Sequence, residues 1–311
     1  MIVVIGEAPI DLIESRETAG QFQAVVGGAN ANVALALARR GSQHQFLARI
    51  STDRFGGIIR KRLRDNQVSL DYVINTDEPT TLAVISINDK GSPTYNFYTN
   101  GTADWGWTTE ELPTHQQLKE LNVKAIQFGC LTMAMEPGNL VIEDWARKVQ
   151  DITISHDINI RSALGFDRDK ERARVERVNS FSSIIKASDE DIEWLYPNTE
   201  IETVINSWIN HSNKIVLLTR GSEGTRIYTK EHRVDVPARK IIVKDTVGAG
   251  DTFIANLLGQ LEENNFLGDK LETLPIENLT EYVRIAGIAA SIACERAGCE
   301  PPTLEELHQI I

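Results

Sequence analysis

The sequence predicts an α/β protein with a mainly parallel sheet covered by helices on both faces. Short β-branched runs alternate with longer helical patterns along most of the 311 residues, and two stretches that break the alternation read as β-only. A third observation, a glycine turn opening a helix between Asp245 and Phe253, says where in such a fold the chemistry sits.

The elements follow in chain order. IVVI at 2 to 5 is apolar throughout and reads as a strand buried on both faces, as parallel strands are. The helix Asn30 to Arg40 stops at Gly41, a residue suited to the left-handed C′ position. AIQF (125 to 128), ITIS (152 to 155), SIIKA (183 to 187) and IVLLT (215 to 219) are further buried strands, and TRIYT after the last is another. Between them lie helices over Gly138 to Gln150, Asp169 to Phe181 and Ile201 to His211, and another over Phe253 to Leu261 follows the glycine turn. Ligands in such folds bind beyond the carboxyl ends of the strands. The β-only stretches are Leu12 to Val25 and Leu82 to Tyr98, the second with a turn at Lys90-Gly91-Ser92-Pro93. Neither buries two faces alone, so together they form a small sheet projecting from the core. With no repeat or linker in view, 1-311 reads as a single domain, with a subdomain at about 12-25 and 78-99.

Composition narrows the function. Lys and Arg total 32 against 44 Asp and Glu, a net charge of -12, which excludes an extended contact with nucleic acid. Cys130, Cys294 and Cys299 lack a C-x-x-C spacing and point to a reducing cytoplasm rather than to disulfides or zinc. No apolar run approaches ~20 residues, so no membrane span is expected. The first residues are too short and too little basic for a signal peptide. Six scattered His residues make no metal cluster.

Asp245-Thr246-Val247-Gly248-Ala249-Gly250-Asp251-Thr252-Phe253 carries the chemistry. Gly248 and Gly250 allow a tight turn, and the unpartnered amides of the following helix can hold a phosphate. Asp251 beside that phosphate can accept the proton of an attacking hydroxyl while the amides stabilise the transferring group. The plainer alternative is an Asp that only caps the helix. A Walker-type loop is excluded, since no Lys follows Gly250.

That run resembles the C-terminal signature of the ribokinase-like (PfkB) carbohydrate kinases, and Gly27-Gly28-Ala29-Asn30-Ala31-Asn32 resembles the N-terminal one. The resemblance, from Gly6 to Gly298, implies a ribokinase-like three-layer sandwich with a small β-sheet lid that often pairs with a second subunit. It implies Asp251 as catalytic base and Gly248, Ala249 and Gly250 as the anion hole. Asp11, Gly27, Gly28, Asn32, Asn159 and Arg161 then bind the sugar. An amide suits that work because it donates and accepts, and a carboxylate can take two hydroxyl protons. Asp53-Arg54-Phe55-Gly56 resembles a family stretch read as structural.

For the nucleotide, Thr219, Gly221 and Gly224 resemble the family's T-x-G-x-x-G turn, and a hairpin turn fits the same residues. Ser188 and Asp191 stand where the family carries N-x-x-E, and by themselves read as an S-x-x-D capping box. Magnesium is expected to arrive with ATP, and the resemblance also implies a monovalent cation such as K+ near Asp245, Val247 and Gly298. Asp157-Ile158-Asn159-Ile160-Arg161 resembles the D-x-N-x-R element of fructokinases and 2-keto-3-deoxygluconate kinases, with Ile158 in place of a common Pro. Gly101-Thr102-Ala103-Asp104-Trp105 resembles a stretch of bacterial fructokinases, with Thr99 where an Arg often stands. The implied activity is an ATP-dependent sugar kinase converting fructose to fructose 6-phosphate. The alternatives are a 2-keto-3-deoxygluconate, ribose or nucleoside kinase, and a non-catalytic sugar-binding or regulatory protein.

Overall fold

In the computed structural model, which describes residues 1–15, 17–18, 20–87, 93–149, 151–209 and 214–311, the first strand sets the plan. Successive strand residues point to opposite faces. Ile2 and Val4 accordingly join one apolar cluster and Val3 and Ile5 another, all at 1% exposure or less.

The strands are β1 (Ile2–Ile5), β2 (Ile10–Glu14), β3 (Phe22–Val26), β4 (His44–Ser51), β5 (Val73–Thr76), β6 (Leu82–Ile87), β7 (Pro93–Tyr98), β8 (Ala125–Gly129), β9 (Thr153–Asp157), β10 (Ile184–Ser188), β11 (Ile215–Thr219), β12 (Thr225–Tyr228) and β13 (Arg233–Val236). The helices are α1 (Ala29–Arg40), α2 (Arg54–Asp65), α3 (His115–Glu120), α4 (Cys130–Ala134), α5 (Gly138–Arg147), α6 (Arg168–Phe181), α7 (Asp189–Leu195), α8 (Ile201–Ile209), α9 (Ala249–Glu263), α10 (Ile276–Cys294) and α11 (Leu304–His308). The large sheet runs β13-β12-β11-β10-β9-β8-β1-β4-β5, parallel from β11 to β5, with β12 and β13 added antiparallel.

On one face α1, α9 and α10 pack together over Ile2, Val4, Phe46 and Leu217. On the other, Ile142 and Trp145 of α5 cover Val3, Leu47 and Phe128, while α7 and α8 cover Ile185, Val216 and Leu218. This is the three-layer α/β/α sandwich expected. Gly41 ends α1 at φ 80°, in the left-handed position anticipated for it.

Boundaries differ where a carboxylate or a glycine extends an element. β9 runs on to Asp157, because Asp157 still pairs with Gly129 and Lys186. The helix expected from Phe253 begins at Ala249, with Gly248 at φ 76° as its N-cap, so Asp251 lies inside the first turn. The helix expected to reach Gln150 ends at Arg147, and residue 150 lies outside the described residues, as do 210–213 at the end of the helix expected to reach His211.

The β-only stretches form a separate four-stranded sheet, β3-β2-β6-β7, with β2 and β6 parallel and the outer pairs antiparallel. It takes in Ile10 and Asp11, two residues earlier than the strand boundary read from the sequence. Of the turn expected at Lys90-Gly91-Ser92-Pro93, residues 90–92 lie outside the described residues and Pro93 opens β7.

Candidate active site

The carboxyl ends of β8 to β11 line up. Gly129 stands beside Asp157, Asp157 beside Lys186, and Ser188 beside Thr219. The polar residues that end these buried strands thus gather on one edge, the edge where open parallel sheets bind ligands.

Asp251 projects from the first turn of α9 above that edge. It is 5% exposed and accepts one hydrogen bond, from Asn32 Nδ2 of α1 at 2.8 Å. Gly248, not Asp251, occupies the N-cap and no side chain caps the helix, which disposes of the plain capping alternative. Burial pushes the Asp251 carboxyl up to about 7; the charge of Asp157 adds to this, and Asn32, Arg161 and Lys186 pull it back. A carboxylate poised near neutrality is suited to general-base work.

Around it, the amide of Ala249 turns back to Thr246 O at 3.2 Å, and that of Thr252 bonds Gly248 O at 2.8 Å. The amides of Gly250 and Asp251, in the first turn, have no acceptor among the described residues. Of the three residues expected to form the anion hole, Ala249 is therefore already engaged at its N–H, whereas Gly250 is open. Gly248 is held by sterics: a Cβ there would stand 2.3 Å from Cys299 Sγ.

The other residues expected to bind the sugar share this site through Arg161, whose charge acts on both Asp11 and Asp251. Asp11, on β2, is half-buried, and its carboxylate makes no hydrogen bond among the described residues. Burial pushes its pKa up to about 6 against the pull of Arg161. Gly27 leaves room for it, because a Cβ there would approach Asp11 Oδ2 to 2.6 Å and push the carboxylate aside. Gly28, at φ 99°, passes so close to the Glu7 carbonyl that a Cβ would meet it at 2.5 Å.

Glu7, which the sequence reading did not single out, fixes this turn. Its carboxylate accepts from the Ala29 amide at 2.8 Å and from Asn30 Nδ2 at 2.8 Å, and Thr132 Oγ1 donates to it as well. It supplies the cap that Gly28 cannot. Asp104, in the stretch GTADW, likewise accepts from the Ala8 amide at 2.8 Å, so this stretch holds the β1–β2 loop.

Asn159 adopts φ 41°, a left-handed conformation that an Asn tolerates. Arg161 is exposed yet lies in the combined field of Cys130, Asp251 and Glu7, which keeps its guanidinium firmly charged. Among the described residues it forms no ion pair.

Among the residues expected around the nucleotide, the capping box at Ser188 is present. Ser188 Oγ accepts from the Asp191 amide at 3.0 Å and Asp191 Oδ2 accepts from the Ser188 amide at 2.8 Å. Asp191 Oδ1 reaches further, to the Ile160 amide at 2.7 Å, tying α7 to the segment that bears Asn159 and Arg161. Thr219 ends β11, and Gly221 and Gly224 frame the tight connection to antiparallel β12, so the hairpin reading holds for these residues. Asp245 accepts from the Val247 amide at 3.1 Å and the Gly298 amide at 2.9 Å, which brings the three residues expected around a monovalent cation together.

One residue was read only as part of a strand. Lys186 of β10 is 5% exposed and donates to both oxygens of Asp157, at 2.8 and 2.9 Å. A groove of about 500 Å³ lined by Lys214, Thr229, His232 and Leu274 opens at the opposite, amino end of β11 and shares no residue with this site.

Comparison with known proteins places this geometry in context. A model of the pfkB family carbohydrate kinases matches residues 1–306. The fructokinase of Rhizobium leguminosarum bv. trifolii is 36% identical over 270 residues, 86% of this chain and 81% of that protein. Among solved structures, the fructokinase of Xylella fastidiosa with bound ATP superposes with a TM-score of 0.89, at 24% identity, over 99% of this chain and 97% of that one. Aminoimidazole riboside kinase of Salmonella enterica, solved with aminoimidazole riboside and an ATP analogue, gives 0.83 at 21% identity, over 99% and 98%.

Proposed function

This chain belongs to the pfkB family of carbohydrate kinases and is an ATP-dependent carbohydrate kinase; from that premise we propose that it phosphorylates D-fructose to fructose 6-phosphate with Asp251 as the base. The observation that carries the mechanism is the buried Asp251 carboxylate inside the first turn of α9, beside the open amides of Gly250 and Asp251. The assignment of fructose rests on the 36% identity to the Rhizobium fructokinase.

Asp11, Asn32, Asn159 and Arg161 orient the sugar over Asp251. Asp251 takes the proton of the attacking hydroxyl as the γ-phosphoryl group moves in line, and the α9 amides hold the charge on the transferring oxygens. Thr219, Gly221 and Gly224 flank the phosphates, and Ser188 and Asp191 support them from α7. Magnesium comes with the nucleotide; the described residues gather no group of three His, Cys, Asp or Glu side chains around a separate ion. The carboxylate and turn backbone at Asp245, Val247 and Gly298 suit a potassium ion, which would steady the α9 N-terminus.

The small sheet closes over the sugar as a lid and excludes water. Its exposed Ile13, Phe22 and Tyr98, up to 60% accessible, fit burial against a second copy. Light scattering that gives a monomer at micromolar concentration would contradict the dimer. The three free cysteines suit the cytoplasm, and no helix among the described residues is long and apolar enough to cross a membrane.

A second reading has its own support, since a guanidinium without an ion pair is equipped to clamp a sugar-acid carboxylate. That substrate is 2-keto-3-deoxygluconate. Release of ADP from Mg-ATP with fructose, 2-keto-3-deoxygluconate, ribose and adenosine, in potassium and in sodium buffer, tests the assignment. Preferred turnover of fructose supports it. Preference for the sugar acid replaces it, and equal rates in the two buffers remove the potassium ion.

A further inference from the structure

Lys186 is used by none of the steps above, yet it lies at their centre. It is a charged side chain 5% exposed, and it meets Asp157, 3% exposed, through both carboxylate oxygens. A Cβ on Gly250 would stand 3.0 Å from its Nζ, so the ammonium sits directly under the first turn of α9. Its own carbonyl accepts from the Ile158 amide at 2.9 Å, and Asp191 accepts from the Ile160 amide at 2.7 Å. The segment leading to Asn159 and Arg161 is thus pinned to β10 and α7 on either side of the Lys186–Asp157 pair.

A buried ion pair gives little net stability over apolar residues of the same volume, because the cost of desolvating both ions offsets most of their attraction. Stability alone is a poor reason for this one. Its position under a buried carboxylate supplies a better reason, since Asp157 and Asp251 are like charges in one water-poor site.

We infer that Lys186 is a positioning residue for phosphoryl transfer: fixed on Asp157 beneath α9, it offsets the Asp157 charge so that Asp251 can ionise, and it holds the sugar segment in register with the phosphate site. The inference rests on Asp251 acting as the base. Burial pulls the Lys186 ammonium down, but Asp157, with Asp191 and Asp251 beyond it, more than offsets this and leaves its pKa raised. The groups facing Asp251 are Asp157, Arg161 and Lys186 from the sheet edge, Asn32 from α1, Cys130 from the start of α4, and Cys299 behind Gly248.

The experiment is the pH profile of kcat/KM for fructose with Mg-ATP in four full-length variants beside the wild type. These are Lys186→Met, Asp157→Asn, the double variant Asp157→Asn with Lys186→Met, and Asp251→Asn. The titration of the nucleotide is common to all. Losing the ammonium makes ionised Asp251 harder to form, so Lys186→Met moves the acid limb to higher pH, with a rate loss that is larger at pH 6.5 than at pH 9. Losing the Asp157 charge moves the limb to lower pH. If Lys186→Met alone does not fold, the step from Asp157→Asn to the double variant removes the same ammonium and must move the limb upward. An acid limb that stays in place when the ammonium is removed, with Asp251→Asn inactive, overturns the role of Lys186 and leaves the base intact. An active Asp251→Asn overturns the base itself and, with it, this inference.

Discussion

Asp251 is costly to the fold once it is ionised. Its carboxyl is raised to about 7 chiefly by burial, so between the ordinary carboxylate range and pH 7 the folded chain binds a proton that the unfolded chain releases. For an acid shifted upward, stability falls as pH rises through that window, and above it the full cost of the buried charge is present. Asp251→Asn, which keeps an acceptor for Asn32 without the charge, is predicted to stabilise the protein at pH 8 by roughly 2–4 kcal/mol, about three pH units at 1.36 kcal/mol each. Denaturant unfolding at pH 8 and pH 5 checks the sign: the gain should shrink at pH 5, and a variant less stable than wild type at pH 8 would contradict it. Asp11, Asp251 and the glycines at 27 and 28 were legible in the sequence because short motifs carry them. Glu7 and Lys186 were not, because each acts through a partner distant in the chain. Lys186 sits in a run that reads as buried strand, and only the β9–β10 register brings it against Asp157, 29 residues away.

Elements place these residues through their ends. The proposed anion site at the α9 N-terminus depends on Gly248, whose left-handed conformation turns the chain into the helix two residues before Gly250. α7 begins with a capping box whose Asp191 also holds the Ile160 amide, so one carboxylate couples the start of a helix to the sugar segment. Asp191→Ala is accordingly predicted to raise KM for fructose at least as much as KM for ATP, and to cost about 1–2 kcal/mol of stability through the lost hydrogen bonds to the Ser188 and Ile160 amides. Steady-state kinetics with each substrate varied decides this; a defect confined to ATP would assign Asp191 to the nucleotide alone. The longest helix, α10, was not anticipated, although Leu279, Tyr282, Val283, Ala286 and Ala289 recur at helical spacing and are all buried. Strand β13 was missed for the opposite reason, since RVDV is short, carries two charges and gains its place only by pairing with β12.

Over the whole molecule, the alternation of strands and helices sufficed to read the layers. The sequence pattern also separated the small sheet from the large one, because its strands lack intervening helices. What a single sequence does not carry is the crossing of α1 over α9, which brings Asn32 to Asp251 across 219 residues. That contact joins the two glycine motifs into one site, and Asp251 lies at the junction. The most direct test of the account is kcat for Asp251→Asn with saturating Mg-ATP and fructose. The account predicts a fall of about 10²–10⁴-fold, the usual worth of a general base, with the protein folded and still binding ATP. A rate within a few-fold of wild type would contradict it.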